Sequence, residues 1–208
     1  MNIYHFYGKR LFDLTLSGLI MVMLSPLLLI VVLAVRLTSP GPVFFSQVRA
    51  GRWGRLFRLY KFRSMVVNKA DTAQMGKVGS DHPLVTPVGR IIRRFKIDEL
   101  PQLWNVLKGE MSLVGPRPAL TAQVADYTPQ QHRRLEVLPG LTGWPQVNGN
   151  IELCWEDRIL LDIWYVDHLS FWLDLRILLL TPAVIMMGER IKHHDSWLVG
   201  FDTGHIQE

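Results

Sequence analysis

The longest apolar segment of the chain, LTLSGLIMVMLSPLLLIVVLAV, runs from Leu14 to Val35 without a charged residue. A straight helix of 22 residues measures roughly 33 Å, which is enough to cross a bilayer. Pro26 follows Ser25 in the middle of this run, and a proline removes a helical hydrogen bond and clashes with the preceding turn. The pattern therefore predicts a membrane helix that is kinked or broken at Ser25-Pro26.

Three interpretations fit this segment: a cleaved signal peptide, a kinked spanning helix and a re-entrant hairpin. No small-x-small cleavage site follows the run, which disfavours the signal peptide. Basic residues flank both ends, with Lys9 and Arg10 before the run and a series from Arg36 to Arg63 after it. Because basic flanks favour the cytoplasmic side, a hairpin satisfies both, whereas a span exports one. The charges favour the hairpin and leave the span open.

The remaining pattern predicts a small, mostly helical α/β domain with interfacial amphipathic helices. It indicates short strands within 38–65, a short helix and loop over 66–82, helices near 88–94 and 100–109, an amphipathic helix over 121–138, an ordered loop over 139–150 and helical structure over 155–187. Aromatic residues in the last segment are typical of helices lying at a membrane interface. The domains expected are a hairpin over 1–37, a folded domain over 38–188 and a polar tail over 189–208.

Composition narrows the class of partner. The 208 residues carry a formal net charge of +5, so anionic partners are favoured. The positive mean hydropathy points away from a soluble nucleic-acid binder. Arginine recurs every third residue from Arg49 to Arg58, and beside a membrane segment this stripe is best interpreted as a contact with anionic lipid. The single cysteine, Cys154, excludes an internal disulfide.

An adjacent acid pair, Asp98-Glu99, is the strongest candidate for chemistry. Pro101 predicts a helix start, which places the pair near a helix N-terminus where backbone N–H groups favour negative charge. Helix capping alone would explain two carboxylates there. It does not explain the four cations directly upstream, which are Arg90, Arg93, Arg94 and Lys96.

The surroundings of the pair suggest a phosphorylated, metal-bound ligand. The corner Gly115-Pro116-Arg117-Pro118 presents a guanidinium from a stiff backbone, and arginine suits bidentate phosphate contacts. Magnesium is usually held by one or two carboxylates together with substrate phosphates, and a carboxylate can also attack phosphorus. The sequence has no zinc-like His and Cys spacing and no glycine-rich phosphate loop.

Six stretches, in order, resemble the bacterial sugar transferases, a family of monotopic polyprenyl-phosphate phosphoglycosyltransferases, in the small form that has only the catalytic domain. The resemblance extends from about Lys9 to Thr181. The matching stretches are KRLFDL, Ser25-Pro26, GPVFFSQVRAGRWGRLFRLYKFRSM, IDELPQLWNVLKGEMSLVGPRP, PGLTGWPQVNG and LDIWYVDHLSFWLDL.

This resemblance implies a reaction and a set of site residues. The family transfers a phospho-sugar from a UDP-sugar to polyprenyl (undecaprenyl) phosphate and releases UMP, which is the first membrane step of glycoconjugate (exopolysaccharide) biosynthesis. Asp98 would be the nucleophile that carries a covalent phospho-sugar, and Glu99 would help to bind Mg²⁺. The residues expected to bind substrate or phosphate are Lys61, Arg93, Arg117 and Asp162.

The family also implies a location and partners. The re-entrant hairpin broken at Ser25-Pro26 would hold the protein on the cytoplasmic face of the bacterial inner membrane, in contact with lipids. No nucleic-acid partner is expected, and a homo-oligomer is left open. The chain departs from many relatives at Pro145, where they have alanine, and at Gly149-Asn150-Ile151, where they read Gly-Arg-Asn. Arg158 is a candidate substitute for that missing arginine.

Two other classes remain as alternatives. A membrane-anchored scaffold with a basic lipid-binding face would keep the hairpin and the arginine stripe, but has no need for an aspartate at 98. A membrane-tethered nucleic-acid binder would bind with a steep salt dependence and ignore nucleotide-sugars.

Overall fold

Helices make up most of the part of the chain that the structure describes, with two small two-stranded sheets between them. The structure, a computed structural model, describes residues 4, 8–66, 82–149 and 153–187. Its elements are α1 (Lys9–Met23), α2 (Ser25–Thr38), β1 (Phe44–Ala50), β2 (Leu56–Phe62), α3 (Pro87–Arg94), α4 (Gln102–Lys108), β3 (Ser112–Val114), α5 (Thr121–Ala125), α6 (Pro129–His132), β4 (Gly140–Thr142), α7 (Trp144–Val147), α8 (Trp155–His168) and α9 (Phe171–Met187). The predicted, mostly helical α/β class is confirmed.

Some predictions fall outside the described residues. These are the short helix and loop within 67–81, the position of Asn150 and Ile151, and the tail over 189–208.

The apolar run forms two helices rather than one. α1 and α2 meet at Leu24 and are bent by 62°. Pro26 lies in the first turn of α2, where its missing N–H costs no helical hydrogen bond. The predicted break beside Ser25-Pro26 is therefore confirmed. In the described part of the chain no single helix is long and apolar enough to cross a membrane, whereas α1 and α2 together meet that length and composition.

The polarity of α1 is the reverse of what a water-soluble helix shows. Its buried residues are Lys9, Asp13 and Ser17, which follow one another at four-residue spacing along one face. The opposite surface is apolar, and its large side chains are at least half exposed: Leu11, Leu19, Val22 and Met23. A soluble helix normally buries its apolar stripe.

Buried polar contacts join α1 to β3 and α9. The ammonium group of Lys9 lies 2.6 Å from a carboxylate oxygen of Asp174 and donates to the carbonyl of Val114 at 3.0 Å. Asp13 accepts a hydrogen bond from the backbone N–H of Leu113 at 3.0 Å. α1 is thus tied to the first strand of the parallel sheet.

The short strands predicted within 38–65 are confirmed as β1 and β2, and the structure shows that they pair as an antiparallel hairpin. Phe44 lies opposite Phe62 and Ala50 opposite Leu56. The turn between the strands contains Trp53, whose φ of 57° lies in the left-handed region that few residues other than glycine adopt.

The prediction of one amphipathic helix over 121–138 is wrong. α5 ends at Ala125, and α6 begins at Pro129 after an extended Thr128. A residue that precedes proline is disfavoured in the helical region, and the Thr128 hydroxyl accepts a hydrogen bond from the N–H of Gln131 at 3.3 Å. The Thr-Pro step therefore starts a new helix and prevents one continuous helix through this segment, and a turn of 3₁₀ helix, Arg133–Leu135, follows.

The prediction of a loop over 139–150 is also wrong for most of its length. β4 pairs in parallel with β3, with Ser112 opposite Gly140 and Val114 opposite Thr142, and α7 follows directly. Gly140 is required at this place because a Cβ atom there would lie 2.1 Å from the backbone nitrogen of Gly115. The glycines permit close backbone packing here instead of marking a loop.

The predicted helical structure over 155–187 is confirmed as two helices, α8 and α9, which separate at Leu169-Ser170. The main core packs α8 and α9 against α4, α7 and the two sheets. Its most deeply buried side chains are Leu103, Val106, Met111, Leu113, Val114, Val147, Tyr165 and Ile177.

Removing the cation of the Lys9–Asp174 pair should destabilise the fold strongly. Lys9→Met leaves the fully buried Asp174 without its partner, and breaking a buried pair in this way costs about 3–5 kcal/mol. Chemical denaturation in one detergent, followed by tryptophan fluorescence, measures the free energy of unfolding.

Lys108→Met is the matched control, since Lys108 pairs with Glu110 at 2.7 Å at the surface. A surface pair contributes at most about 1 kcal/mol. Equal losses in the two variants would show that the buried pair does not hold the hairpin in place.

Candidate active site

The acid pair lies in a turn of 3₁₀ helix, Ile97–Glu99, between α3 and α4. Lys96 precedes it with a left-handed φ of 55°, which reverses the chain after α3. Asp98 and Glu99 are 7% and 8% exposed. The prediction that the pair stands just before a helix N-terminus is confirmed.

Glu99 is held by two cations on the same oxygen. Oε1 accepts hydrogen bonds from Nζ of Lys61 at 2.5 Å and from Nη2 of Arg117 at 2.7 Å. Burial alone would raise the pKa of Glu99, but the charges of Arg117 and Lys61 outweigh it and hold the pKa well below its usual range. Glu99 is thus ionised at every physiological pH.

Asp98 has a different environment. Its Oδ1 is buried without a hydrogen-bond partner in the described ranges. Burial raises the pKa of Asp98 to about 6, and the negative charge of Glu99 acts in the same direction. The charges of Lys61, Lys96 and Arg93 oppose this rise. Asp98 is therefore an anion near neutral pH, but a less stabilised one than its neighbour.

Lys61 reaches the pair from the end of β2, which α4 holds in position. The fully buried Asn105 of α4 donates from Nδ2 to the carbonyl of Arg58 at 2.7 Å and accepts from the N–H of Tyr60 at 3.2 Å. The strand that carries Lys61 and the helix that follows the acid pair are therefore fixed to each other.

Arg117 projects from a corner whose backbone is fixed at four successive carbonyls. The donors come from three separate parts of the chain: Pro116 accepts from Gly140 N–H at 2.8 Å, Arg117 from Arg134 at 3.1 Å, and Pro118 and Ala119 from the adjacent Arg49 at 3.2 Å and Ala50 N–H at 3.0 Å. The corner is thus rigid, while the side chain of Arg117 remains 47% exposed.

The arginine stripe of the β-hairpin is only partly available to lipid. Arg49 is half-buried and donates both to Pro118 and to the side chain of Gln47 at 2.7 Å. Burial, together with the charge of Arg117, lowers the pKa of Arg49 to about 10. Arg52 donates from Nε to the carbonyl of Glu136 at 2.9 Å. Arg49 thus supports the Arg117 corner, which differs from the expected lipid contact.

Asp162 lies elsewhere in the site than its predicted role suggests. It is 2% exposed and pairs with Arg134 at 2.5 Å. Burial raises the pKa of Asp162 to about 6, although Arg134 lowers it. The structure therefore brings Lys61, Arg93 and Arg117 together with the acid pair. Among the described residues, Asp162 is connected to them through Arg134 and the Arg117 backbone. The substrate-binding role of Asp162 stays a prediction.

Three residues of this site were missed in the sequence: Asn105, Arg134 and Arg49 in its structural role. All three side chains donate hydrogen bonds to backbone carbonyl groups. A hydrogen bond from a side chain to a distant backbone group leaves no spacing pattern in a sequence. Only the small size of Gly115 and Gly140, next to the corner, hints at close backbone packing there.

The arrangement suits an anionic ligand and fits Mg²⁺. Five cations act on the two carboxylates or on each other: Lys61, Lys96, Arg93, Arg117 and Arg49. Among the described residues no cluster of three His, Cys, Asp or Glu side chains could hold a metal alone. Two adjacent carboxylates, one with an unpartnered buried oxygen, match a Mg²⁺ site that substrate phosphates complete.

Comparison with known proteins agrees with this chemistry. The family described as bacterial sugar transferase matches residues 4–188. An uncharacterised sugar transferase, EpsL of Bacillus subtilis, is 49% identical over 184 residues, which cover 88% of this chain and 90% of that protein. The UDP-glucose:undecaprenyl-phosphate glucose-1-phosphate transferase of Escherichia coli is 42% identical over 83% of this chain and 39% of its own length.

A third relative is the undecaprenyl-phosphate galactose phosphotransferase of Salmonella typhimurium. It is 39% identical over 86% of this chain and 40% of its own length. The chain thus spans about two fifths of these two longer relatives and nearly all of the Bacillus protein. Because the family covers most of the sequence, this chain belongs to the bacterial sugar transferases.

Proposed function

We propose that this protein transfers a phospho-sugar from a UDP-sugar to polyprenyl phosphate and releases UMP. The proposal rests on the different contacts of the two neighbouring carboxylates. Glu99 is bound by Lys61 and Arg117, whereas one oxygen of Asp98 is buried without a hydrogen bond from any described residue. Relatives that are named for UDP-glucose and undecaprenyl phosphate support this choice of donor and acceptor.

Asp98 is the proposed nucleophile of the first half-reaction. A carboxylate oxygen attacks the phosphorus that bears the sugar, the new Asp–O–P bond forms, and the P–O bond to the uridine phosphate breaks. The electron pair leaves with UMP, and no proton has to move. Attack by an anion on a diphosphate requires that charge be neutralised, and Lys61 and Arg117 are placed to do this.

The second half-reaction regenerates the carboxylate. A phosphate oxygen of the lipid acceptor attacks the same phosphorus, the Asp98–phosphate bond breaks, and polyprenyl-diphosphate sugar is the product. A covalent intermediate lets a water-soluble donor and a lipid acceptor use one site in turn.

Glu99 is the proposed protein ligand for Mg²⁺. Both cations bind its Oε1, which leaves the second oxygen for a metal ion. The metal would neutralise charge on the donor diphosphate. Arg93 acts on the charge of Asp98 and is proposed to contact phosphate together with Lys61 and Arg117.

We infer that α1 and α2 form a re-entrant hairpin that enters and leaves the membrane by its cytoplasmic face. The bend of 62°, the exposed apolar surface of both helices and the buried polar face of α1 support this arrangement. Basic flanks at both ends give the orientation. The hairpin would extend over 1–37, followed by the catalytic domain over 38–188, and the inner membrane would supply the lipid partners.

A covalent adduct should form without any lipid acceptor. The full chain in nanodiscs, with Mg²⁺ and a panel of UDP-sugars, is expected to gain the mass of one phospho-sugar in intact-protein mass spectrometry. The gained mass identifies the sugar class. Asp98→Asn should gain none, because an amide is a poor nucleophile toward phosphorus.

Two controls sharpen this measurement. Asp167→Asn, a change at the surface of α8, should form the adduct like the natural chain. Turnover with polyprenyl phosphate but no adduct with any donor would indicate direct transfer, and Asp98 would then not be the nucleophile.

Adduct formation should lose rate in acid. The pKa of Asp98 lies near 6, above the ordinary aspartate value, so the reactive anion is lost as the pH falls through 6. Glu99 stays ionised throughout. At donor concentrations well below saturation, where the free enzyme is probed, the rate should fall about tenfold per pH unit below 6.

The diphosphate of the UDP-sugar does not change its protonation between pH 7.5 and pH 5. A fall in the rate over this pH range is therefore due to a group of the protein. Donor binding to Asp98→Asn, measured over the same pH range, serves as the control. A rate that stays constant from pH 7.5 to pH 5 would contradict the assignment.

The hairpin can be tested by labelling single cysteines. Asn2→Cys and Thr38→Cys, each in a Cys154→Ser background, flank the two helices. A membrane-impermeant maleimide should label both in inverted vesicles and neither in intact spheroplasts. Labelling of Asn2→Cys in spheroplasts only, with Thr38→Cys in vesicles only, would establish a spanning helix instead.

A further inference from the structure

The buried contacts of Arg134 lead from α8 to the corner that presents Arg117. Arg134 is 4% exposed, and one of its nitrogens, Nη2, contacts both Asp162 at 2.5 Å and the carbonyl oxygen of Arg117 at 3.1 Å. Its Nη1 donates to the Tyr127 hydroxyl at 2.5 Å. The Arg117 side chain in turn donates to Glu99 at 2.7 Å. An unbroken chain of contacts thus runs from Asp162 to the acid pair.

We propose that Arg134 and Asp162 form a positioning pair for the reaction: they fix the backbone of Arg117 so that its guanidinium meets Glu99 and the phosphates of the donor. The inference rests on the proposed function and assigns Asp162 a role through Arg134 instead of a direct contact with substrate. No residue of the pair needs to touch substrate in this role.

The geometry of Arg134 explains why this residue suits the task. A guanidinium is planar and presents several donors in fixed directions, so it can hold a carboxylate, a hydroxyl and a carbonyl at once. Its planar group also lies 5.7 Å from the ring centres of Tyr127 and Trp155, which restricts it further. The direction in which it donates to Arg117 is therefore set by its surroundings.

Stability alone is a poor reason for this pair. Nε of Arg134 and Oδ1 of Asp162 are both buried without a hydrogen-bond partner in the described part of the chain. Buried ion pairs contribute little net stability even when all their polar atoms are satisfied. Because the pair leaves these two atoms unsatisfied, its contact with the carbonyl of Arg117 explains its presence better than a gain in stability does.

A second ion pair provides a matched control. Arg133 pairs with Asp167, so it joins the same 3₁₀ turn and the same helix α8 as Arg134 and Asp162 do. Arg133 and Asp167 lie at the surface and have no contact with the Arg117 corner among their described bonds. Removing this pair therefore changes the contact between the 3₁₀ turn and α8, but leaves the contact between Arg134 and the carbonyl of Arg117.

The test replaces each pair by apolar residues and follows adduct formation in single-turnover experiments with Mg²⁺ and the UDP-sugar that the wild type accepts. Arg134→Met with Asp162→Leu avoids an unpaired buried charge. Misplacement of a positioned group by about 1 Å can lower a rate roughly 100-fold, so we expect a fall of about 10- to 100-fold in the rate constant. The final amount of adduct should stay the same. Arg133→Met with Asp167→Leu should retain the full rate.

The rate constant of adduct formation and the final amount of adduct distinguish a positioning role from a purely structural one. If the pair only supports folding, fewer molecules react but those that do keep the natural rate constant, and this outcome overturns the inference. An unchanged rate and amplitude overturns it as well. Arg134→Lys provides a second variant if the double variant does not fold, since one ammonium cannot reproduce the three planar contacts; it too should react slowly with full amplitude.

A double-mutant cycle tests whether the pair acts through Arg117. In an Arg117→Met background, replacing Arg134 and Asp162 should change the rate less than about twofold, because the group that they position is absent. The same large factor in both backgrounds would contradict the inference. If the wild type forms no adduct, the covalent mechanism fails; the same variants compared in turnover with polyprenyl phosphate still decide the positioning role.

Discussion

The structure depends on the contact between the polar face of α1 and the backbone of β3. Lys9 and Asp13 bind the carbonyl of Val114 and the N–H of Leu113, and Asp174 of α9 neutralises Lys9 at 2.6 Å. β3 leads directly into the corner that carries Arg117. The position of the Arg117 guanidinium thus depends, through one short strand, on the contacts of α1. A polar contact of this kind is strong only where water is excluded, as it is here.

The reversed polarity of α1 follows from the same contact. Because the most deeply buried face of α1 is polar, part of its apolar surface is exposed, and Leu19, Val22 and Met23 are more than half exposed. In water such a surface would be unfavourable, whereas in lipid it costs nothing. The membrane location proposed for α1 and α2 would cover this exposed apolar surface.

Sequence patterns identified those features that depend on neighbouring residues and missed those that depend on distant ones. The break at Ser25-Pro26, the β-hairpin and the helix start at Pro101 follow from local backbone restrictions. The parallel pairing of β3 with β4 depends on glycines that approach distant backbone, and was interpreted as a loop. Asp98 and Glu99 were found because adjacent acids beside many cations are unusual. Arg134 was not found, since its partners are a carbonyl, a hydroxyl and a carboxylate from three separate segments.

The contrast between Asp98 and Glu99 explains how two adjacent carboxylates can serve different purposes. Their side chains share one short turn, yet Lys61 and Arg117 both bind Glu99 and neither hydrogen-bonds the buried oxygen of Asp98. Hydrogen bonds lower the reactivity of an anion, so the residue that attacks phosphorus should have few and the residue that anchors charge should have many. The fixed corner makes this division possible, because a mobile Arg117 could bind either carboxylate. Rigidity of the backbone around Arg117 is therefore part of the proposed chemistry. Of the residues that donate to this backbone, Arg49, Ala50 and Gly140 lie in stretches that resemble the family, whereas Arg134 lies outside them.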